Sequence, residues 1–328
     1  MTMNHSNTPV AIIGAGTLGT ALGNILAEAG CCEVLLHTIE QGVAEDIDHL
    51  HINRKYFPTL HLNPALKATT DNAQLLPCRV IFLAIPSVVM IGYLKTIRDH
   101  IAPDAVLVNL AKGFGTGNRT IVECLYDEFP NPVLTMKGPS FAREIINRLP
   151  TGFTLGYRDI ANVDAVASLF KGTNIHFDHS GDIRGVEILS ILKNIYAIAL
   201  GIVDAQFNSP NLRFLILTRA FREMRQMLHF FGGKDDTLFN YCGYGDFTLT
   251  ALNDLSRNRT LGLLIGKGFF TEHVSHELVL EGKTAADIFY REIAASSNVR
   301  EQYPIMTELH RIFHDKYDIP TFVNNILK

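Results

Sequence analysis

The chain has 328 residues, of which 47% are hydrophobic and 19% charged, and its formal net charge is −4. At about 150 residues per domain this length predicts two domains, and the hydrophobic content excludes an intrinsically disordered chain. The slight negative charge provides no basic field for binding nucleic acid, so the expected partner is a small molecule held by local groups.

The five cysteines show no C-x-x-C spacing, so neither a zinc knuckle nor a disulfide framework is expected. The first residues lack the long apolar stretch of a secretory signal, and a cytoplasmic location is expected. The longest apolar region, 188–203, is interrupted by Lys193 and Asn194 and is shorter than the ~20 residues that span a bilayer. It is expected to form a buried helix, with no membrane span.

Short β-rich runs alternate with helical patterns in the first half of the chain, which is typical of βαβ units and a parallel sheet. The predicted strands are 10–13, 33–37, 80–85, 105–110, 133–136, 152–156 and 174–177. After residue 181 apolar residues recur at three and four spacings, which predicts helices over 182–203, 212–230 and 260–281. We therefore predict an α/β fold with a mostly parallel, doubly wound sheet in an N-terminal domain over 1–181 and a C-terminal all-α domain over 182–328. The polar cluster 178–182 is the expected boundary.

The first predicted strand leads into a glycine-rich turn with the sequence PVAIIGAGTLGTALG. Gly14, Gly16 and Gly19 have the G-x-G-x-x-G spacing that permits a tight turn, approach of a pyrophosphate to the backbone, and close packing of helix on strand. The helix that follows presents unpaired N–H groups to phosphates. This pattern predicts a Rossmann-like dinucleotide-binding domain.

The second predicted strand ends at His37-Thr38, where an acidic residue would bind the ribose 2′-hydroxyl of NAD. His37 is therefore a candidate contact for the 2′-phosphate of NADP. In the alternative interpretation His37 is an ordinary strand-end residue and Glu40 binds the ribose. The choice between NAD and NADP stays open.

One face of the predicted helix 182–203 carries small and polar side chains, namely Ser190, Lys193, Asn194, Ala197 and Gly201. The remainder of this helix is bulky and apolar. An ammonium group on such a face loses hydration, which suits it to acid/base chemistry. The alternative is that Lys193 extends its amine to water.

The segment 243–259 reads GYGDFTLTALNDLSRNR, and its second half predicts an anion site. Either Asp254 or Ser256 is expected to cap a helix. The donors in the first turn of that helix are Arg257, Asn258 and Arg259. Together with the positive end of the helix dipole they suit a phosphate or carboxylate, which arginine binds bidentately. A solvated surface face is the alternative.

Four further polar residues are singled out by their spacing. Asp246 and Thr250 lie four apart, on one face if the segment is helical, where they can orient a lysine or a hydroxyl. Lys112 and Lys137 each follow or end a predicted strand, and ligands of open α/β sheets bind beyond the carboxyl ends of the strands. Either lysine is alternatively a solvated loop residue.

Ten motifs occur in one order from about residue 9 to 282: the glycine fingerprint, Ala84-Ile85-Pro86-Ser87, Lys112-Gly113, Gly138-Pro139-Ser140-Phe141-Ala142, Leu192-Lys193-Asn194, Thr218-Arg219, Gly245-Asp246, Leu249-Thr250, Ser256-Arg257-Asn258-Arg259 and Glu281-Gly282. In this order they resemble the NAD(P)-dependent glycerol-3-phosphate dehydrogenase family of the bacterial type. The resemblance implies an oxidoreductase that interconverts dihydroxyacetone phosphate and sn-glycerol 3-phosphate for phospholipid synthesis. It also implies NAD or NADP as cofactor and a homodimer.

The resemblance assigns roles to individual residues. Lys193 would be the general acid/base at the C2 oxygen, and the further catalytic residues would be Lys112, Asp246 and Thr250. The implied substrate-binding residues are Lys112, Gly138, Ser140, Asn194, Asp246, Ser256, Arg257 and Asn258. The implied cofactor-binding residues are Gly14, Gly16, Thr17, Leu18, Gly19, His37, Pro86, Lys112, Ala142, Arg257, Val279 and Glu281.

The sequence departs from the family pattern at Leu18, Gly115, Lys137, Ala251 and the loop 207–210. Because Lys137 and the loop are expected near the substrate, an alternative is a related Rossmann dehydrogenase acting on another phosphorylated ketone or hydroxy acid. A second alternative is a nucleotide-binding paralogue without catalysis. The adjacent Lys193-Asn194 pair disfavours a 6-phosphogluconate-type enzyme, which usually spaces these residues four apart.

No metal site is expected. His49, His51 and His61 lie close along the chain, but no His-x-x-x-His or His-Glu spacing accompanies them.

Overall fold

The computed structural model describes residues 9–269, 276–294 and 299–328, without the side chains of 276–281. The chain divides into two compact units, Met1–Ile183 and Arg184–Lys328. The predicted boundary, after residue 181, lies two residues before the observed one. Residues 178–180 of the polar cluster that suggested it form the end of a strand.

The first unit contains an eight-stranded sheet with the strand order β10-β9-β8-β7-β6-β1-β2-β5 and a separate hairpin of β3 and β4. The strands are β1 Val10–Ile13, β2 Val34–His37, β3 Ile52–Asn53, β4 Phe57–His61, β5 Leu66–Thr69, β6 Val80–Leu83, β7 Val106–Asn109, β8 Val133–Lys137, β9 Thr151–Tyr157 and β10 Ile175–Ser180. Neighbours pair in parallel except β8 and β9, which are antiparallel. The predicted α/β class with a mostly parallel sheet is confirmed.

Helices cover the sheet of the first unit. They are α1 Thr17–Ala29, α2 Gln41–Leu50, α3 Ser87–Thr96, α4 Ile121–Glu128, α5 Ala142–Ile146 and α6 Val163–Ser168. Val10 and Ile12 belong to one buried apolar cluster, whereas Ala11 and Ile13 belong to another. Because successive side chains of a strand point to opposite faces, the sheet is buried on both faces, as parallel sheets require.

The described part of the second unit contains helices and no β-strand, as predicted. The bounds predicted for a helix over 260–281 are wrong, because one helix ends at Gly266 and residues 267–269 are not helical. Its helices are α7 Ile183–Gln206, α8 Pro210–Phe230, α9 Asp246–Leu252, α10 Arg257–Gly266, α11 His276–Ala294, α12 Val299–Gln302, α13 Pro304–His314 and α14 Phe322–Leu327. By length and composition α7 is apolar enough to cross a membrane, with a mean hydropathy of 1.8, but 94% of that window is buried inside the structure. This burial identifies α7 as a core helix.

The backbones of α7 and α10 approach each other through glycines. A Cβ atom built on Gly201 of α7 would lie 2.3 Å from the carbonyl oxygen of Arg259, and one on Gly262 of α10 would lie 2.0 Å from that of Ile198. Such distances are shorter than real Cβ atoms show. The crossing therefore fixes α10, with its N-terminal turn, against the helix that carries Lys193.

A buried carboxylate connects α8 to the start of α13. Glu223 accepts hydrogen bonds from the backbone N–H groups of Ile305 (2.8 Å) and Met306 (3.2 Å) and from the hydroxyl of Tyr196 (3.1 Å). Burial raises the pKa of Glu223 to about 7, although these hydrogen bonds oppose the shift. Glu223 thus takes up a proton at a higher pH than an exposed glutamate does.

The raised pKa of Glu223 predicts a loss of stability as pH rises. A carboxyl group with a folded-state pKa above its unfolded value contributes stability below the unfolded pKa, and this stability is lost as pH rises through the folded pKa. Between about pH 4.5 and about pH 7 the wild type should lose about 3 kcal/mol from this group. The measurement is the free energy of denaturant unfolding across this range for wild type and Glu223→Gln.

Glutamine does not titrate, and its poorer fit to two N–H donors adds a penalty that does not depend on pH. All other titratable groups are the same in the two proteins, so the difference between the two pH profiles isolates the contribution of Glu223. Parallel profiles would contradict the prediction.

Candidate functional site

The glycine-rich turn joins β1 to α1 at the carboxyl edge of the sheet. Gly14 has a φ of 114°, a left-handed conformation that favours glycine, and its N–H donates to the carbonyl of His37 at 2.8 Å. A Cβ on Gly19 would lie 1.9 Å from the carbonyl oxygen of Gly14, whereas one on Gly16 would meet nothing within 4 Å. The turn is therefore tightly packed at Gly14 and Gly19 and open at Gly16, immediately before α1.

His37 lies at the end of β2 and is almost fully buried. Its Nδ1 is 3.4 Å from the hydroxyl of Tyr93, and within the described residues its Nε2 has no hydrogen-bond partner. Burial lowers the pKa of the imidazole. Glu40, the alternative ribose contact, forms an exposed ion pair with Lys55 at 2.6 Å.

Further candidates of the first unit follow β6, β7 and β8, whose carboxyl ends share one edge of the sheet. Lys112 donates to the carbonyl of Gly138 at 3.2 Å, and the Ser140 hydroxyl donates to the same oxygen at 3.0 Å. Pro86 precedes α3, where it is exposed. The structure thus brings Lys112, Gly138 and Ser140 together.

Lys137 is fully buried and donates to the carbonyl of Asn109 at 3.0 Å. The alternative interpretation of Lys137 as a solvated loop residue is therefore wrong. The Asn109 carbonyl also accepts from Thr135 at 3.2 Å, so Lys137 is held against the end of β7.

The second unit contains a buried cluster around Lys193. The ammonium of Lys193 donates to the carboxylate of Asp246 at 2.5 Å and to the hydroxyl of Thr250 at 2.8 Å. The side chains of Lys193 and Asp246 are only 5% and 2% exposed. The alternative in which Lys193 reaches water is therefore wrong. Asp246 begins α9 and Thr250 lies one turn later, which places both on the face towards α7.

The N-terminus of α10 is capped by Ser256, whose hydroxyl accepts from the backbone N–H of Arg259 at 3.3 Å. Arg257 is exposed, and Asn258 is partly exposed. Arg259 behaves differently from the prediction that it would serve as an anion donor. It is buried and ion-paired with Asp204 and, at 3.1 Å, with Asp254.

The remaining candidates have simpler placements. Thr17 and Leu18 open α1, with Thr17 exposed and Leu18 partly buried against the core. Ala142 is the first residue of α5, and Asn194 follows Lys193 on α7 with a partly exposed side chain. Val279 and Glu281 fall outside the described side chains, so their predicted roles have no structural account.

Two of the departures from the family pattern have local explanations. In the loop 207–210 Ser209 caps α8 by accepting from the backbone N–H of Leu212 at 3.3 Å, and Pro210 is the first residue of that helix. A Cβ on Gly115 would lie 2.8 Å from the sulfur of Cys124, so a larger residue there would need Cys124 to move.

Comparison with known proteins identifies the family. Residues 9–163 match the family model for the N-terminus of NAD-dependent glycerol-3-phosphate dehydrogenase, and residues 182–324 match the model for its C-terminus. The chain belongs to the NAD-dependent glycerol-3-phosphate dehydrogenase family. Membership makes it an NAD(P)-dependent oxidoreductase, as the resemblance implied.

Full-length relatives agree with this assignment. The chain is 35% identical to glycerol-3-phosphate dehydrogenase [NAD(P)+] of Desulfovibrio desulfuricans, covering 97% of this chain and 96% of the relative. It is 33% identical to the protein of the same name from Leptospira biflexa, covering 94% of each. The crystal structure of glycerol-3-phosphate dehydrogenase from Coxiella burnetii matches with a TM-score of 0.89 and 29% identity, covering 98% of this chain and 99% of that one.

A ketopantoate reductase from Ralstonia eutropha shares the fold more distantly. Its TM-score is 0.58 at 14% identity, covering 98% of this chain and 100% of that chain. Such a likeness concerns the fold alone.

The residues of the first unit fit a dinucleotide. The open space at Gly16 leaves room against the backbone, and α1 starts there without an acidic residue in its first turn. A helix of this kind stabilises anions at its N-terminus. The Nε2 of His37, which has no hydrogen-bond partner in the described part of the chain, lies at the end of the adjoining strand. These features accommodate either NAD or NADP.

Sequence reasoning missed Asp204, which binds Arg259 and also Arg213 at 2.7 Å. Asp204 lies in the last turn of the apolar helix α7, and no recognisable motif surrounds it in the sequence. Its charge amid buried residues is a signal, because a carboxylate buried in such a helix requires a cationic partner.

Proposed function

We propose that the chain is a glycerol-3-phosphate dehydrogenase in which Lys193 is the general acid/base at the C2 oxygen. The reaction interconverts dihydroxyacetone phosphate and sn-glycerol 3-phosphate. The observation that carries the proposal is the buried ammonium of Lys193, held by Asp246 and Thr250, in a chain of this family. When bound, the reduced nicotinamide supplies a hydride to the carbonyl carbon.

Lys193 supplies the proton that this reduction also needs. Addition of hydride to C2 leaves negative charge on the oxygen, and a positioned ammonium stabilises that charge and then protonates it. Asp246 pairs with the ammonium of Lys193 and fixes its position, while Thr250 accepts a hydrogen bond from the same amine. In the reverse direction neutral Lys193 removes the proton from the C2 hydroxyl.

The phosphate of the substrate is assigned to the start of α10. Arg257 and Asn258 occupy the first turn after the Ser256 cap, where N–H groups and the helix dipole favour an anion. The exposure of Arg257 leaves its guanidinium accessible for bidentate binding. Lys112, with Gly138 and Ser140, is assigned to the substrate as well.

Most of the proposed cofactor contacts belong to the first unit, and Lys193 with most of the proposed substrate contacts belongs to the second. Gly14, Gly16, Gly19, Thr17 and Leu18 would contact the pyrophosphate side of the cofactor. The remaining proposed contacts are His37, Pro86, Lys112, Ala142, Arg257, Val279 and Glu281. We further propose that the enzyme works in the cytoplasm as a homodimer and supplies glycerol phosphate for phospholipid synthesis.

The phosphate assignment predicts a strong preference for dihydroxyacetone phosphate over dihydroxyacetone. The two substrates are compared by initial rates of NADH and NADPH oxidation. Loss of a charge-assisted bidentate contact costs about 2 kcal/mol or more, so Arg257→Ala should lower kcat/KM for the phosphorylated substrate by about 30-fold. Both substrates are compared at saturating cofactor, because Arg257 is also a proposed cofactor contact. Under that condition the rate with dihydroxyacetone should hardly change.

Arg225→Ala is the matched control, because Arg225 is an arginine of the same unit that pairs with Asp235 on the surface. It should leave both rates unchanged. Absence of turnover with either cofactor would reject the proposed function, and equal losses in Arg257→Ala with both substrates would reject the role of Arg257.

A further inference from the structure

Two helices of the second unit bring together three metal-ligating side chains. Asp287 projects from α11, and His310 and His314 project from α13 one turn apart. Their ligand atoms all lie within 4.8 Å of one another. We infer that Asp287, His310 and His314 bind one divalent transition-metal ion, with zinc as the best-fitting class.

The distances suit a tetrahedral ion after a small adjustment. The Nε2 of His310 lies 3.6 Å from Oδ1 of Asp287, and the Nε2 of His314 lies 2.5 Å from the same oxygen. Ligand atoms about 2.0–2.1 Å from a tetrahedral zinc are roughly 3.3 Å apart. The first separation already fits, and the second needs to widen by less than an ångström, which a small rotation of His314 provides.

Stacking contacts restrict the orientation of the two imidazole rings. The ring of His310 stacks on Tyr290 with centroids 4.0 Å apart and on His314 with centroids 4.5 Å apart. Neutral imidazole, the form that ligates metals, offers a ring nitrogen from each of these histidines. Near the His310 ring, the positive charge of Arg291 disfavours a bound cation, whereas the negative charge of Asp315 favours one.

The donor set decides which metal fits. Two imidazole nitrogens and one carboxylate are typical ligands of zinc, cobalt and nickel, whereas magnesium and calcium prefer oxygen ligands. Three protein ligands leave a fourth position for water or another small ligand. The three ligands belong to α11 and α13, whereas Lys193 belongs to α7, so the expected effect of the ion is to join α11 to α13 rather than to take part in hydride transfer.

The His-x-x-x-His spacing of 310 and 314 is visible in the sequence, but Asp287 lies 23 residues earlier and is brought in only by the helix packing. The histidines considered from the sequence, near residues 49–61, are not among the three that cluster.

The test titrates chelator-treated protein with Co²⁺ or Zn²⁺ alone. Wild type should bind one ion per chain, with a visible Co²⁺ spectrum of nitrogen and oxygen ligation, and Zn²⁺ should raise its Tm. Binding should weaken at least tenfold, and the rise in Tm should disappear, in the double variant His310→Ala/His314→Ala and in the single variant Asp287→Asn. His229→Ala is the control, since His229 pairs with a single carboxylate, Asp235, at 2.6 Å.

Asp287→Asn keeps the shape of the side chain, and circular dichroism of each variant without metal verifies its fold. Three results would overturn the inference. They are the absence of one-to-one binding by wild type, unchanged binding by the folded variants, and a Co²⁺ spectrum of thiolate ligation, which would place the ion on cysteine.

Discussion

Replacement of Lys193 by methionine is expected to lower kcat by about 1,000-fold, which is the scale of a lost general acid/base. Methionine matches the length of the lysine stem but can neither donate a proton nor stabilise charge on the C2 oxygen. The KM for dihydroxyacetone phosphate should change little, because the phosphate contacts assigned to Arg257 and Asn258 remain. Initial rates at saturating NADH or NADPH measure the effect.

Lys193→Met also requires a control for protein stability. Removal of Lys193 leaves the carboxylate of Asp246 buried without its ion-pair partner, and such a change costs about 3–5 kcal/mol of stability. The double variant Lys193→Met/Asp246→Asn removes both charges and should recover most of that stability while remaining inactive. A folded Lys193→Met enzyme with wild-type kcat would contradict the acid/base role.

Replacement of Gly262 by valine is expected to destabilise the second unit by about 3 kcal/mol or more. Even a Cβ atom at this position would lie 2.0 Å from the carbonyl oxygen of Ile198, and the obstacle is helix backbone, which cannot rotate away. The helices α7 and α10 would have to separate. Denaturant unfolding measures the stability loss.

Gly92→Val provides the matched control for this substitution. Gly92 lies within α3, and a Cβ there meets nothing within 4 Å. The change in unfolding free energy should stay below about 0.5 kcal/mol, since only helix propensity is altered. Equal stability losses at Gly92 and Gly262 would show that the close approach of the two helices is not the cause.

Much of the first unit was predictable because its chemistry is local in sequence. The strands predicted from apolar runs all occur within a few residues of their expected bounds. The central strands β1, β6, β7 and β8 are buried at every position, which explains their mostly apolar sequences. The edge strand β5, with the sequence LKAT, was missed because only two of its four residues are buried. The β3–β4 hairpin was missed too, since β3 has only two residues and three of the five residues of β4 are exposed.

The candidate site was predictable where spacing within one helix decides it. Asp246 and Thr250 lie one turn apart, so their common face follows from the sequence, whereas their contact with Lys193 requires packing over 53 and 57 positions. Arg259 shows the limit of such reasoning. Its neighbours in sequence predicted an anion donor, but Asp204, 55 positions away, turns it inward. The catalytic and binding roles themselves stay predictions.

The burial of α7 also bears on how the chain is made. The partners that cover this helix include Glu223, Phe247 and Gly262, all of which are synthesised after it. During synthesis this long apolar helix is therefore exposed until the chain has grown to about α10. Partly folded chains with exposed apolar surface aggregate in a concentration-dependent manner. Aggregation at this stage, rather than low native stability, is expected to limit the yield of folded protein on expression.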